Sequence, residues 1–528
     1  MDADVLIVGA GASGGALAGR LSQISDRSVL VLEGGPVYTS QDQMPVELLQ
    51  PASISAAAPG HPNNWAYLGE MRPGLRLPYP RGKGLGGSSS INGCYFIRGT
   101  KNDFDDWVKL GNDEWAYEKV LPFYKRAESD IDFNGKYHGT DGPIPVMREM
   151  KRAPEFTSAF NEACISLGFP EDPDKNAPSD GGVGPVPLNI ANGMRVGTAL
   201  GYLLPNMSRP NLRIIGNTVV ERILFEDKKA VGVEALQDGR RTTYRAHEIV
   251  ISAGALRSPQ VLMLSGIGPA DHLREHGITV VQNLPGVGQN LMDHPMVSAS
   301  WESKVPLSRD LDSGALTSVL HWRAEDSELE LLPFVIKNGD MMGIGDVLAR
   351  PAKALAAMRG TSVSAVTRQA RLMGNAMLGI IVLQEDSRGS VTLSSADPHD
   401  LAVLKWNLLT EKADLVRFRE AVRVAHEVFR QQPLRSIGAK IAGLTAKTLG
   451  DDKALDEWVT GKIGGGHPSC TCRMGPESDP MAVVDQQLRV HGVEGLRVAD
   501  TSIFPRIPAR GPNCSAIMVG ERLAEFLD

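Results

Sequence analysis

Cysteine is scarce in this chain, with only Cys94, Cys164, Cys470, Cys472 and Cys514 among 528 residues. So low and odd a count implies no disulfide framework. The Cys470/Cys472 pair has no second pair at zinc-site spacing, so it reads as packing and not as a metal site. Long apolar runs are also missing. Near the middle, the run Ile380 to Leu383 is far too short to cross a bilayer. No excess of basic charge exists either: the net charge of −7 and the pI near 5.9 argue against a general affinity for nucleic acid. Internal repeats and low-complexity tracts are absent. The apolar run of the first strand already begins at Val5, which leaves no room for a signal peptide before it. A cytoplasmic location is therefore expected.

What is present begins at the N-terminus. Asp4 to Val8 is a nearly continuous apolar run, as in a parallel strand covered on both faces. It leads into Gly9-Ala10-Gly11-Ala12-Ser13-Gly14, then helical residues Ala16 to Leu21, then a second strand, Ser28 to Leu32, ending at Glu33. Strand, glycine turn, helix, strand and acid in that order bind a dinucleotide. Gly9 permits the turn, Gly11 admits the pyrophosphate to the backbone, and Gly14 lets helix and strand pack closely. The helix N-terminus favours the anion, and Glu33 would accept hydrogen bonds from the adenosine ribose. This unit alone does not separate NAD from FAD.

A second glycine-rich stretch, Gly82-Lys83-Gly84-Leu85-Gly86-Gly87-Ser88-Ser89-Ser90-Ile91-Asn92-Gly93, runs on through Cys94, Tyr95 and Arg98 to Asp105. A nicotinamide site has no need of it, whereas the longer flavin dinucleotide could use it. This stretch resembles the first signature of the glucose–methanol–choline (GMC) oxidoreductases. Gly254-Ala255-Leu256-Arg257-Ser258-Pro259-Gln260 through Gly268 resembles the second. Asp103 to Trp107, His138 to Pro143 and Gly288 to Pro295 also read as family segments, and the likeness is weakest from Trp301 to Met377.

The resemblance implies an α/β chain: a Rossmann-like FAD-binding domain with a discontinuous antiparallel-sheet substrate domain. The FAD domain would comprise residues 1–143, 204–300 and 464–528, and the substrate domain residues 144–203 and 301–463. It also implies contacts to FAD from Gly9, Gly11, Ala12, Ser13, Gly14, Glu33, Gly34, Arg81, Gly86, Gly87, Ser88, Asn92, Gly93, Cys94, Tyr95, Val220 (through its backbone), Ala253, Gly254, Asp500, Thr501, Asn513 and Cys514. Cys514 reads as a packing residue, not a nucleophile. Some members tether the flavin through a histidine directly before the asparagine of the first signature. Here that position is Ile91, so non-covalent FAD is expected.

Alcohol oxidation needs a base for the hydroxyl proton and a carbon held at the flavin. His467, in Gly464-Gly465-Gly466-His467-Pro468, matches the family's catalytic histidine, and Asn513 matches the second catalytic position. Asparagine can donate to the substrate oxygen but cannot act as a base, which leaves that role to His467. Where the family usually has glycine, this chain has Cys470. The helix beginning near Gly511 would direct its amides at the flavin.

Elsewhere, Pro154 to Leu167 and the stripe Leu415, Phe418, Val422, Ala425, Phe429 read as helices, the second stopped by Pro433, with His426 on its surface. Strands are expected around a turn at Asp227-Lys228, and over Ser387 to Leu393. The span Arg350 to Arg371 holds five basic residues and no acid, which fits a lid face or contact with a membrane surface. The expected partners are a small alcohol and an electron acceptor, whether oxygen, a quinone or another carrier. The runs Ile91 to Gly99 and Arg510 to Pro512 resemble a mycofactocin-associated branch, which would pass electrons to a carrier. An FAD-retaining hydroxynitrile lyase is the competing reading.

Overall fold

The computed structural model describes residues 2–149, 151–308, 310–324, 327–341 and 375–528. The basic span Arg350 to Arg371 lies outside the described residues. The fold is mixed α/β and organised by two seven-stranded sheets.

The first sheet has a parallel core. Leu212–Ile215, Val29–Leu32, Ala3–Val8 and Arg240–Ile251 lie side by side, and Leu496–Val498 pairs in parallel with the last of these. The residues are Val, Leu and Ile almost throughout because both faces are covered; Leu6, Ile7, Val31, Ile249 and Val498 are fully buried. A meander, Thr218–Glu226 to Lys229–Gln237 to Arg240–Ile251, extends the sheet antiparallel, and its first turn falls at Asp227-Lys228. The last helix, Asn513–Phe526, packs against the first, Ala12–Leu21: a methyl at Gly520 would lie 2.2 Å from the Ser13 carbonyl oxygen. Chain end therefore meets chain start in one core.

The second sheet is antiparallel, in the order Lys440–Ile441, Met296–Glu302, Ala376–Val382, Ser327–Lys337, Ser318–Ala324 and Gly182–Pro185, with Ile463–Gly464 on the second strand. Period-two alternation divides its faces. Val297, Ala299, Trp301, Leu329, Leu331, Leu378 and Ile380 point to the back, where the helices Lys412–Arg430 and Pro154–Ser166 cover them. Phe156 stacks on Trp301 with ring centroids 4.1 Å apart. The long helix stops at Arg430, ahead of Pro433, which instead opens a short helix, Gln432–Ser436. His426 is half-buried and not on the open surface, because that helix is partly covered on two sides. Met296, Leu332, Phe334 and Ile381 point to the other face, against Cys94, Tyr95 and Ala509. No helix among the described residues is long and apolar enough to cross a membrane.

Candidate active site

The two glycine loops stack on each other at the C-terminal edge of the parallel core, where open α/β sheets bind ligands. Gly9 has φ +104, and a methyl at Gly14 would lie 2.1 Å from the Gly9 carbonyl oxygen. The helix that follows starts at Ala12 with Gly11 as an N-cap that has no side-chain cap. Its first amides are thus open to an anion. The second loop seats on the first: Gly86 N–H donates to the Ala10 carbonyl at 2.8 Å, and a methyl at Gly87 would lie 2.8 Å from the Gly11 Cα.

Glu33 serves these loops directly. Its Oε1 accepts from the amides of Gly35 at 2.8 Å and Gly84 at 2.9 Å, and its Oε2 from Ala10 at 2.9 Å. Burial raises its pKa and the amides oppose the rise. A carboxylate offers about four acceptor positions, so one is left for a ribose hydroxyl. Gly34 packs under Trp65, and Ser88 Oγ accepts from the Gly82 amide.

Ser13, Val220 and Asp500, also expected at FAD, are engaged within the protein. Ser13 Oγ donates to the Ala516 carbonyl at 2.6 Å, tying the first helix to the last. The Val220 carbonyl accepts from Arg257. The Asp500 carboxylate accepts from Gly254 N–H at 2.9 Å, Ser258 Oγ at 2.5 Å and Ser502 N–H at 2.8 Å. Asp500 acts by holding Gly254, whose φ is +86 and whose outer side faces open space. Ala253 N–H donates to Ser258 Oγ.

Thr501 carries this scaffold to the late loop. Its Oγ1 donates to the Pro468 carbonyl at 2.8 Å and its own carbonyl accepts from Cys470 N–H. Cys470 adopts φ +73, the left-handed conformation that glycine would take without strain. All five cysteines are buried and free.

The His467 loop hangs on one buried carboxylate. Asp293 Oδ1 accepts from His467 N–H at 2.6 Å, Gly466 N–H at 3.0 Å and His294 N–H at 2.7 Å, while Oδ2 accepts from Tyr79 Oη–H at 2.7 Å. A methyl at Gly465 would lie 2.0 Å from that Oδ2. Arg81 secures the loop from outside, donating to the Gly466 carbonyl at 2.6 Å.

A second histidine then fixes the first. His294 Nε2 lies 2.8 Å from the Pro508 carbonyl, and His294 Nδ1 lies 2.9 Å from His467 Nδ1. A carbonyl only accepts, so His294 carries its proton on Nε2. Burial pushes its pKa down to about 4, so it is neutral and its Nδ1 is bare. His467 must therefore donate from Nδ1, which leaves the lone pair on Nε2. Burial, then His294 and Arg81, hold the His467 pKa well below the usual histidine range. A methyl at Gly511 would lie 3.9 Å from His467 Cε1 and 4.0 Å from a Tyr95 ring carbon, so these three positions are neighbours. Asn513 opens the last helix, and its Nδ2 is buried without a partner among the described residues. Cys514, next to it, is fully buried.

Asn92 Oδ1 accepts from Cys94 N–H at 3.0 Å, which helps hold Cys94 at φ +61, and Gly93 beside it faces open space. Tyr95 reaches the second sheet, where its hydroxyl sits 3.3 Å from both Glu330 Oε2 and His321 Nε2.

The sequence reading places Asp293 and His294 only within a family segment and misses Tyr79, Glu330 and His321. The histidine beside Asp293 and Pro295 was the one available signal. One group among the described residues has metal-holding geometry: Glu128, Asp130 and His138. Arg148 lies 2.6 Å from Asp130, and Arg98 is paired to Glu128. Burial opposes protonation of His138, but hydrogen bonds to Asp130, Asp174 and Glu128 push its pKa up to about 10. The cluster is an ion-pair network.

Residues 3–296 match the N-terminal family model of the GMC oxidoreductases, and residues 385–520 the C-terminal one. An oxygen-dependent choline dehydrogenase of Brucella ovis is 39% identical, covering 100% of this chain and 96% of that one. Pyridoxine 4-oxidase from Mesorbium loti has 27% identity and a TM-score of 0.85, covering 99% of this chain and 98% of that one. An FAD-dependent oxidoreductase from Chaetomium thermophilum has 26% identity and a TM-score of 0.82, with 99% of both chains covered.

Proposed function

This chain belongs to the GMC oxidoreductase family and is an FAD-dependent enzyme acting on alcohol-type donors, and on that premise we propose that it oxidises a CH–OH group to an aldehyde or ketone with His467 as the proton acceptor. The observation that carries this reading is the Pro508–His294–His467 hydrogen-bond chain, which assigns the His467 lone pair to Nε2.

The residues fit the cofactor. The uncapped helix start at Gly11, with Gly86 and Gly87 seated on it, would hold the pyrophosphate, and Glu33 has one acceptor position for the ribose. Asn92, Gly93, Tyr95, Gly254 and Asn513 would border the ring. With isoleucine at position 91 there is no side chain there to form a tether, so the cofactor is bound non-covalently. In domain terms, the first sheet with residues 1–143, 204–295 and 465–528 would hold FAD, since Met296–Glu302 and Ile463–Gly464 pair in the second sheet and not, as expected from the sequence, with the FAD side. Residues 144–203 and 296–464 would build the substrate side.

When bound, FAD supplies the two-electron acceptor. The chain's own residues handle the proton. His467 Nε2 takes it from the substrate hydroxyl, and His294 Nδ1 stabilises the resulting imidazolium through the Nδ1–H bond. Asn513 Nδ2, otherwise unpartnered, donates to the substrate oxygen. Asp293 and Arg81 keep the loop from moving as charge develops. Oxygen or a carrier would be the final electron acceptor. Choline, named in a relative, is one candidate donor and is treated below.

The test is anaerobic mixing of holoenzyme with an alcohol panel. Bleaching of the flavin is expected, and reoxidation in air against an artificial acceptor sorts oxidase from dehydrogenase. Cyanide release from mandelonitrile without bleaching would overturn the reading.

A further inference from the structure

The wall beside His467 is apolar at the end nearest the imidazole pair. On the face of the second sheet turned toward the glycine loops, Met296 pairs with Ile381, Ile381 with Glu330, and Glu330 with His321. Met296 follows His294 by two residues, so the apolar end of this row is the end at the imidazole pair. Tyr95, Met296 and Phe334 are partly exposed and pack on buried Leu316, Leu332 and Ile381.

Among the described residues the carboxylates nearby have hydrogen-bond or ion-pair partners, Glu385 through Oε1 alone, which accepts from Asp293 N–H at 2.7 Å. Glu330 Oε2 is 2.8 Å from His321 Nε2 and also meets the Tyr95 hydroxyl. Glu328 lies 3.6 Å from Arg510, and Asp172 lies 3.0 Å from Lys175. Asp293 accepts four hydrogen bonds, and Asp103 accepts from Ala509 N–H and Gln384 Nε2. The sequence has no acid between Asp346 and Glu385, so that stretch brings none either. Positive charge, in contrast, is available. Arg81 donates to the carbonyls of Gly466 and Pro80 and has no carboxylate partner among the described residues.

The geometry points to an uncharged alcohol with an apolar body, aryl or branched alkyl, as the donor, and to rejection of a quaternary-ammonium alcohol of the same shape. The inference rests on the alcohol-oxidation reading. A Met/Tyr/Phe/Ile surface gains from apolar burial. An ammonium there would lose its water with no counter-charge to replace it. The faces of Tyr95 and Phe334 offer such a cation some attraction, but Arg81, which has no carboxylate partner among the described residues, opposes it.

Choline and 3,3-dimethylbutan-1-ol form a matched pair that differs by one charge at one atom. Anaerobic stopped-flow reduction of the holoenzyme by each, with benzyl alcohol alongside, gives kred/Kd for all three. The neutral isostere is expected to exceed choline by about tenfold or more. Equal values, or a preference for choline, would overturn the inference and leave alcohol oxidation standing. If no alcohol of a wider panel bleaches the flavin, the alcohol-oxidation reading itself fails and this inference with it.

Discussion

Replacing His294 by phenylalanine keeps a flat ring in a site only 2% exposed, but it removes two hydrogen bonds at once. The Pro508 carbonyl and the His467 Nδ1–H would both be left without a partner. An orphaned buried group costs about 1–3 kcal/mol, so the variant should fold with clearly lower stability. The effect on rate is separable. Protonating His467 Nε2 makes its Nδ1–H a charge-assisted donor, and hydrogen bonds to charged groups are worth about 1.5–3 kcal/mol. At about 1.4 kcal/mol per factor of ten, flavin reduction should slow by roughly ten- to a hundredfold. The assay is anaerobic stopped-flow mixing at saturating alcohol, with each sample normalised to its FAD content. A variant that keeps full FAD and is reduced at the wild-type rate would refute the tautomer argument. So would a loss of rate that merely follows a loss of FAD.

Gly14→Ala places a methyl 2.1 Å from the Gly9 carbonyl oxygen, with the Ser252 and Ile7 side chains 3.0 and 3.2 Å away; the purified protein should lack the flavin's visible absorbance. Asn513→Leu should retain FAD and slow its reduction by about ten- to a hundredfold, through loss of a hydrogen bond to developing charge. His294 also makes stability depend on pH. Its folded pKa, pushed down to about 4 by burial, lies below the unfolded value near 6.5, so its contribution is complete above about pH 6.5 and is lost as pH falls toward 4. Glu330, raised to about 7 by burial, has the opposite sign. Denaturant titrations of wild type against His294→Phe isolate the histidine: the stability gap between them should shrink by about 2 kcal/mol from about pH 7 to about pH 5.

The fold was legible wherever one segment carried its own signal. The run before Gly9, the helix from Ala12 and the acid at Glu33 sit close together in sequence, and the first sheet places them as their spacing suggests. The stripe from Leu415 to Phe429 likewise gave a helix without help from elsewhere. His467 and Asn513 stood out because each lies in a specific local pattern. What stayed hidden depends on partners far along the chain. The role of His294 needs His467, 173 residues away, and the Pro508 carbonyl, 214 away. The wall around Glu330 exists only once strand register sets Ile381 and His321 on either side of it. The carboxylates of Glu33 and Asp500 are the instructive cases. Their residue types suggested ligand contact, yet loop amides and serine hydroxyls take most of their acceptor positions, because buried carboxylates need several donors.

The most direct measurement is anaerobic reduction of purified His467→Gln by an alcohol that bleaches the wild type. The backbone amide that Asp293 holds is unchanged by this substitution, so the variant should carry a full complement of FAD. Its reduction should be slower by at least about a hundredfold, because glutamine has no lone pair basic enough to take the hydroxyl proton. Full FAD with wild-type reduction would contradict the assignment of His467 as the base.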